Sequence, residues 1–148
     1  MKKLILLFVT VFTFFGVNAQ QQNPITWVAS YKTISATEGE IIITPKVEKG
    51  WHSYSQKVTA DGPVPTTFTF PTSKQYTLIG KVEESNVHEE FDKAFDAKIF
   101  VVTEKSEFKQ KIKFPKGGFN VAFKIEFMCC NDQMCLPPKT NDLSIKVQ

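Results

Sequence analysis

The three cysteines of this chain, Cys129, Cys130 and Cys135, all fall in one short segment, Phe127-Met128-Cys129-Cys130-Asn131-Asp132-Gln133-Met134-Cys135-Leu136-Pro137-Pro138. Four residues separate Cys130 from Cys135, and Asn131 and Asp132 among them are good turn formers. This spacing lets a strand fold back and bring two sulfurs into disulfide range, which needs Cα atoms about 4.4–6.8 Å apart. Pro137 and Pro138 have no backbone N–H, so the chain beyond Cys135 cannot run on as an inner strand. The pair is therefore expected at the exposed end of a sheet, where a partner thiol can reach it. Three chemistries fit the residue types. One is a redox-active cysteine pair with no resident cofactor. The second is a structural disulfide, although so small a loop stabilises by only about 2 kcal/mol in the chain-entropy model. The third is a soft Cu(I) site drawn from Met128, Cys129, Cys130, Met134 and Cys135, but no second Cys or His cluster at zinc-type spacing supports a metal. Spacing alone leaves all three standing.

The elements that must hold this segment read as strands. Phe119, Val121, Phe123, Ile125 and Phe127 alternate with polar or small residues over the stretch that leads into the cysteines. Trp27–Lys32, Glu40–Thr44, Trp51–Ser55, Thr66–Phe70, Tyr76–Val82, Ala97–Thr103, Glu107–Phe114 and Leu143–Val147 are further strand candidates. Glu83–Ala94 has sparse apolar positions and reads as a loop. No segment carries a helical apolar period over three turns. Eight or nine short strands at intervals of roughly ten residues predict an all-β chain, an antiparallel β-sandwich. Trp27, Phe68, Phe70, Phe123 and Phe127 are its expected core. Strand alternation points Cys129 the way Phe127 points, into the core, and Cys130 to the opposite face.

Composition narrows the class. The chain has 148 residues, 42% hydrophobic and 22% charged, with 14 Phe, which suits one soluble domain with an aromatic-rich core. Lys2-Lys3, the apolar run Leu4–Gly16 and the small residues Val17 and Ala19 read as a secretory signal at positions 1–19, cleaved before Gln20. The apolar run is shorter than the roughly 20 residues of a spanning helix, so no membrane span is expected after cleavage. The net charge of +3 falls to about +1 without Lys2 and Lys3. That excludes an electrostatic footprint for nucleic acid. The expected product, residues 20–148, is a single exported domain in a compartment where disulfides persist.

The run Cys130-Asn131-Asp132-Gln133-Met134-Cys135-Leu136-Pro137-Pro138 resembles the C-N-D-x-x-C-L-P-P signature of the N-terminal domain of the thiol:disulfide interchange protein DsbD. Gly50-Trp51-His52-Ser53-Tyr54, Gly62-Pro63-Val64-Pro65-Thr66 and His88-Glu89-Glu90-Phe91 are similar to further segments of that family. The resemblance implies an immunoglobulin-like sandwich that exchanges thiols and disulfides in the periplasm, passing electrons onward to cytochrome c maturation or disulfide isomerisation. By position, Cys135 matches the cysteine that attacks partner disulfides and Cys130 its resolving partner. Cys129 remains the other thiol at family-like spacing. Phe91 matches a cap-loop aromatic covering the disulfide, Glu90 the neighbouring cap acid and Tyr54 an aromatic lining the site, and His52 stands where some members carry another aromatic. The implied partners are thioredoxin-like redox proteins and a membrane electron-transfer protein, with the domain itself a monomer. Full-length members append the membrane and thioredoxin-like domains, which for a chain ending at Gln148 are expected as separate proteins. An immunoglobulin-like binding module with a structural disulfide is the alternative reading.

Overall fold

The computed structural model describes residues 22–58 and 62–148; the signal expected at 1–19 lies outside them. Eleven strands and no helix occur among the described residues: β1 (Ile25–Thr33), β2 (Glu38–Val47), β3 (His52–Tyr54), β4 (Thr67–Thr69), β5 (Thr77–Ser85), β6 (His88–Asp92), β7 (Ala97–Val102), β8 (Glu107–Lys113), β9 (Phe119–Phe127), β10 (Cys129–Cys130) and β11 (Lys139–Val147). They pair antiparallel in three sheets, ordered β1-β2-β8-β5, β10-β3-β7-β6 and β11-β9-β4. The whole is an immunoglobulin-like β-sandwich, as the strand pattern and the resemblance led one to expect.

The main core lies between the first and third sheets. Trp27, Ile41, Ile43, Phe108 and Ile112 from the first face Val121, Phe123, Ile125 and Phe127 of β9. Every second residue of β9 is buried and every other one exposed, the period-two pattern of a strand with one face in a core and one in water. Trp27 meets Phe108 and Phe127 edge-on at 5.7 and 5.5 Å, the arrangement that aromatic quadrupoles favour. Phe68 and Phe70, expected in the core, are only partly buried against it, because β4 is the edge of its sheet.

The second sheet uses both faces. Val102 and Cys129 add to the main core, whereas Tyr54, Ile99, Val101, Met128 and Cys130 form a separate apolar group. Two expectations need correction here. Glu83–Ala94 is not a loop: Glu83–Ser85 ends β5, Asn86 turns the chain with φ 56°, and His88–Asp92 is β6. β6 is an edge strand, so its backbone pairs with β7 without any apolar alternation to advertise it. The final strand starts at Lys139 rather than Leu143, paired only to β9, directly after the two prolines.

Candidate functional site

The cysteine segment is shaped by its turn. After Cys130 the Asn131 side-chain carbonyl accepts the N–H groups of Gln133 and Met134, each at 2.9 Å, and the Asn131 N–H donates to the Met134 carbonyl at 2.9 Å. This is the local bonding that makes Asn a turn residue. Leu136 N–H then donates to the Cys129 carbonyl at 2.9 Å. The turn sets Cys135 opposite Cys130, and the two form a disulfide with Cα atoms 4.0 Å apart. The bridge is open on one side only. Cys130 has no exposed surface, Cys135 is half-buried, and the neighbouring Met134 is exposed. The bridge thus lies on the edge strand β10 and is reachable from its Cys135 side.

Cys129 is free and 6% exposed, packed with Phe127 in the main core. Burial pushes its thiol pKa up, against a smaller opposing pull from Lys139. Because Cys129 and Cys130 face opposite sides of the sheet, the five soft ligands of the copper reading do not converge. Among the described residues no group of three or more His, Cys, Asp or Glu is arranged to hold a metal ion.

A polar cluster lies on the Cys130 face. β3 pairs with β10 so that His52 is directly across from Cys130, and alternation puts Tyr54 on the same side. Tyr54 is fully buried and its hydroxyl donates to Asp92 Oδ2 at 2.7 Å. His52 Nε2 lies 3.1 Å from the same oxygen and 3.3 Å from the Tyr54 hydroxyl. On the other side of the ring, Nδ1 is 3.7 Å from Glu90 Oε1, and Glu90 Oε2 is 3.3 Å from His88 Nε2. Asp92 is 4% exposed. Burial alone would raise its pKa, but hydrogen bonds from Tyr54, His52 and the N–H groups of Ala94 and Phe95 outweigh that and hold it below the usual carboxylate range. Tyr54 is pushed well above the ordinary phenol value by burial first, then by the Asp92 carboxylate it bonds.

The hairpin between β6 and β7 closes over this cluster. Asp92 Oδ1 accepts from the Ala94 N–H at 2.8 Å and the Phe95 N–H at 3.3 Å, and Asp96 completes the turn with φ 51°, a conformation Asp tolerates better than most residues. Phe95 thereby packs, with Cys135, onto the buried group that holds Tyr54 and Cys130, its ring edge-on to Tyr54 at 5.9 Å. Lys93 Nζ reaches Asp132 Oδ2 at 3.2 Å, which ties this turn to the disulfide turn.

The structure thus brings His52, Tyr54 and Glu90 together beside Cys130 and Cys135, and Phe91 elsewhere. In the β6–β7 register Phe91 pairs with Lys98 and Glu89 with Phe100, which puts these four on the face opposite Glu90 and Asp92. Phe91 is 57% exposed; the aromatic packed near the disulfide is Phe95. Asp92 and Phe95 were missed in the sequence. Their one signal was an Asp followed by a short polar turn and a lone Phe.

A family profile described as thiol:disulfide interchange protein DsbD, N-terminal, matches residues 20–146. No curated protein sequence matches the chain. Among solved structures, the N-terminal periplasmic domain of ScsB from Proteus mirabilis is similar, with TM-score 0.61 and 12% identity over 86% of this chain and 48% of that one. The chain therefore spans about half the length of that structure. The Neisseria meningitidis DsbD N-terminal domain in the reduced form has TM-score 0.47 and 14% identity over 80% of this chain and 83% of that one. The same Neisseria domain in complex with the PilB N-terminal domain gives TM-score 0.46 and 13% identity over 80% of each chain. With the family profile covering residues 20–146, this chain belongs to the family of DsbD N-terminal domains.

Proposed function

We propose that this protein is an exported electron relay in which Cys135 exchanges with partner disulfides and Cys130 resolves the resulting mixed disulfide. Exchange proceeds by thiolate attack on a disulfide sulfur, so the attacking sulfur must be reachable. The observation that carries the assignment is the asymmetry of the bridge: Cys130 is sealed, while Cys135 retains surface. Donors and acceptors are thioredoxin-like proteins, with a membrane electron-transfer protein upstream and cytochrome c maturation or disulfide isomerisation downstream. The test is the reduction potential of the pair in the folded protein, measured by equilibration with glutathione. A value above about −300 mV marks an exchange pair; one below it marks a structural bridge and overturns the reading.

The cover of the site is Phe95, with Phe91 free to meet a partner from the far face of β6. An edge-to-face aromatic pair contributes about 0.5–1.5 kcal/mol beyond its buried area, and about 1.4 kcal/mol corresponds to tenfold in rate. Phe95→Ala is expected to speed reduction of the bridge by a small-molecule thiol by up to about tenfold. Phe91→Ala leaves that rate unchanged. Stopped-flow reduction with dithiothreitol measures both, and the opposite ranking returns the cover to Phe91.

A further inference from the structure

We infer that His52 takes the proton from Cys130 when the mixed disulfide on Cys135 is resolved. This rests on the relay reading of the cysteine pair and adds the group that makes its second step fast. Cys130 is fully buried, so no solvent base reaches its thiol, yet it must become a thiolate before it attacks. His52 is its cross-strand neighbour; directly opposed residues in an antiparallel pair have Cβ atoms about 4.5–5.5 Å apart. The His52 side chain is 15% exposed, which leaves a route for the proton to water.

The surrounding groups set the ring for this task. Asp92 is held ionised and accepts from Tyr54, so it has no proton to give. The hydrogen in the 3.1 Å contact is then that of His52 Nε2, and Nδ1 of the neutral ring is the vacant acceptor. A proton arriving at Nδ1 meets the Glu90 carboxylate at 3.7 Å, itself backed by His88. The groups facing His52 are therefore Tyr54 on its own strand, Glu90 and Asp92 on β6, with His88 behind Glu90, and Cys130 on β10.

The Cys130 S–H bond breaks and its proton passes to His52. The Cys130 thiolate attacks Cys135 Sγ, the Cys130–Cys135 bond forms, and the bond from Cys135 to the partner sulfur breaks. The partner leaves as a thiolate and takes a proton from the imidazolium. The cysteine pair is oxidised by two electrons and the partner disulfide is reduced by two.

The reduced protein is mixed with glutathione disulfide at pH 5–9, quenched in acid, and followed by mass spectrometry, which separates formation of the glutathione adduct from its resolution. His52→Gln keeps an N–H donor for Asp92 and cannot titrate. Resolution in the wild type is expected to rise less steeply with pH around neutrality than in the variant. In His52→Gln it should be slower there by on the order of 100-fold, climb steadily with pH, and converge on the wild type in alkali. His52→Asn, with a shorter donor, should show the same shape. Superimposable profiles, or a slowing equal at every pH, overturn the role of His52 while the relay stands. A wild type that forms no adduct overturns both.

Discussion

A Cys130→Ser protein is expected to stall with a thioredoxin-like partner covalently held on Cys135, whereas Cys135→Ser should lose exchange down to background. Both outcomes follow from where the sulfurs lie. A partner arriving from solvent meets Cys135 and not Cys130, whose surface is wholly covered. With Cys130 replaced, the mixed disulfide has no internal thiol in position to break it. Cys129 cannot substitute. It faces the main core beside Phe127, and burial raises its pKa, which keeps it the protonated, unreactive form. Non-reducing electrophoresis followed by peptide mass spectrometry reads the adduct and its position. Trapping by Cys129→Ser instead of Cys130→Ser would make Cys129 the resolving thiol.

The separation of these two adjacent cysteines was legible in the sequence, and the reason is instructive. β9 runs with one face in the core and the other in water, so its alternation is visible residue by residue, and it carries the phase onward into β10. The sandwich followed from the same signal, since Trp27, Ile41, Ile43 and Phe108 repeat the period on the facing sheet. β6 sent no such signal. One of its faces carries His88, Glu90 and Asp92 into a polar site, and the other leaves Glu89 and Phe91 outside. A strand that buries charge on one side looks like a solvated acidic loop. The same ambiguity hid Asp92, whose burial depends on a tyrosine 38 residues away. It also hid the difference between Phe91 and Phe95: only the hairpin register decides which of two nearby aromatics turns toward the disulfide.

Asp92 is where the site and the stability of the fold meet, and Asp92→Ala should lower unfolding free energy at pH 7 by about 3 kcal/mol. The deletion removes the acceptor of four hydrogen bonds. The Ala94 N–H is at an exposed residue and can turn to water, but the Tyr54 hydroxyl is fully buried and cannot. Leaving that donor only its longer 3.3 Å contact with His52 Nε2, together with the loss of the turn's anchor, makes up the cost. Urea denaturation monitored by circular dichroism measures it. Since the folded-state pKa of Asp92 is depressed, the folded protein binds fewer protons at this site than the unfolded chain. Its contribution is therefore fully present above the unfolded value near 3.9, and it is lost as pH falls from there through the lower folded value. Asp92→Asn keeps the turn acceptor without the charge, so its stability should fall less steeply over the same acid range than that of the wild type. A mutant whose acid limb matches the wild type would mean that the buried carboxylate does not set the low-pH boundary of the fold. Because Asp92 also seats Phe95 through the hairpin turn, Asp92→Ala should expose the bridge to small thiols at least as much as Phe95→Ala does. Loss of stability and loss of cover then arise from a single side chain.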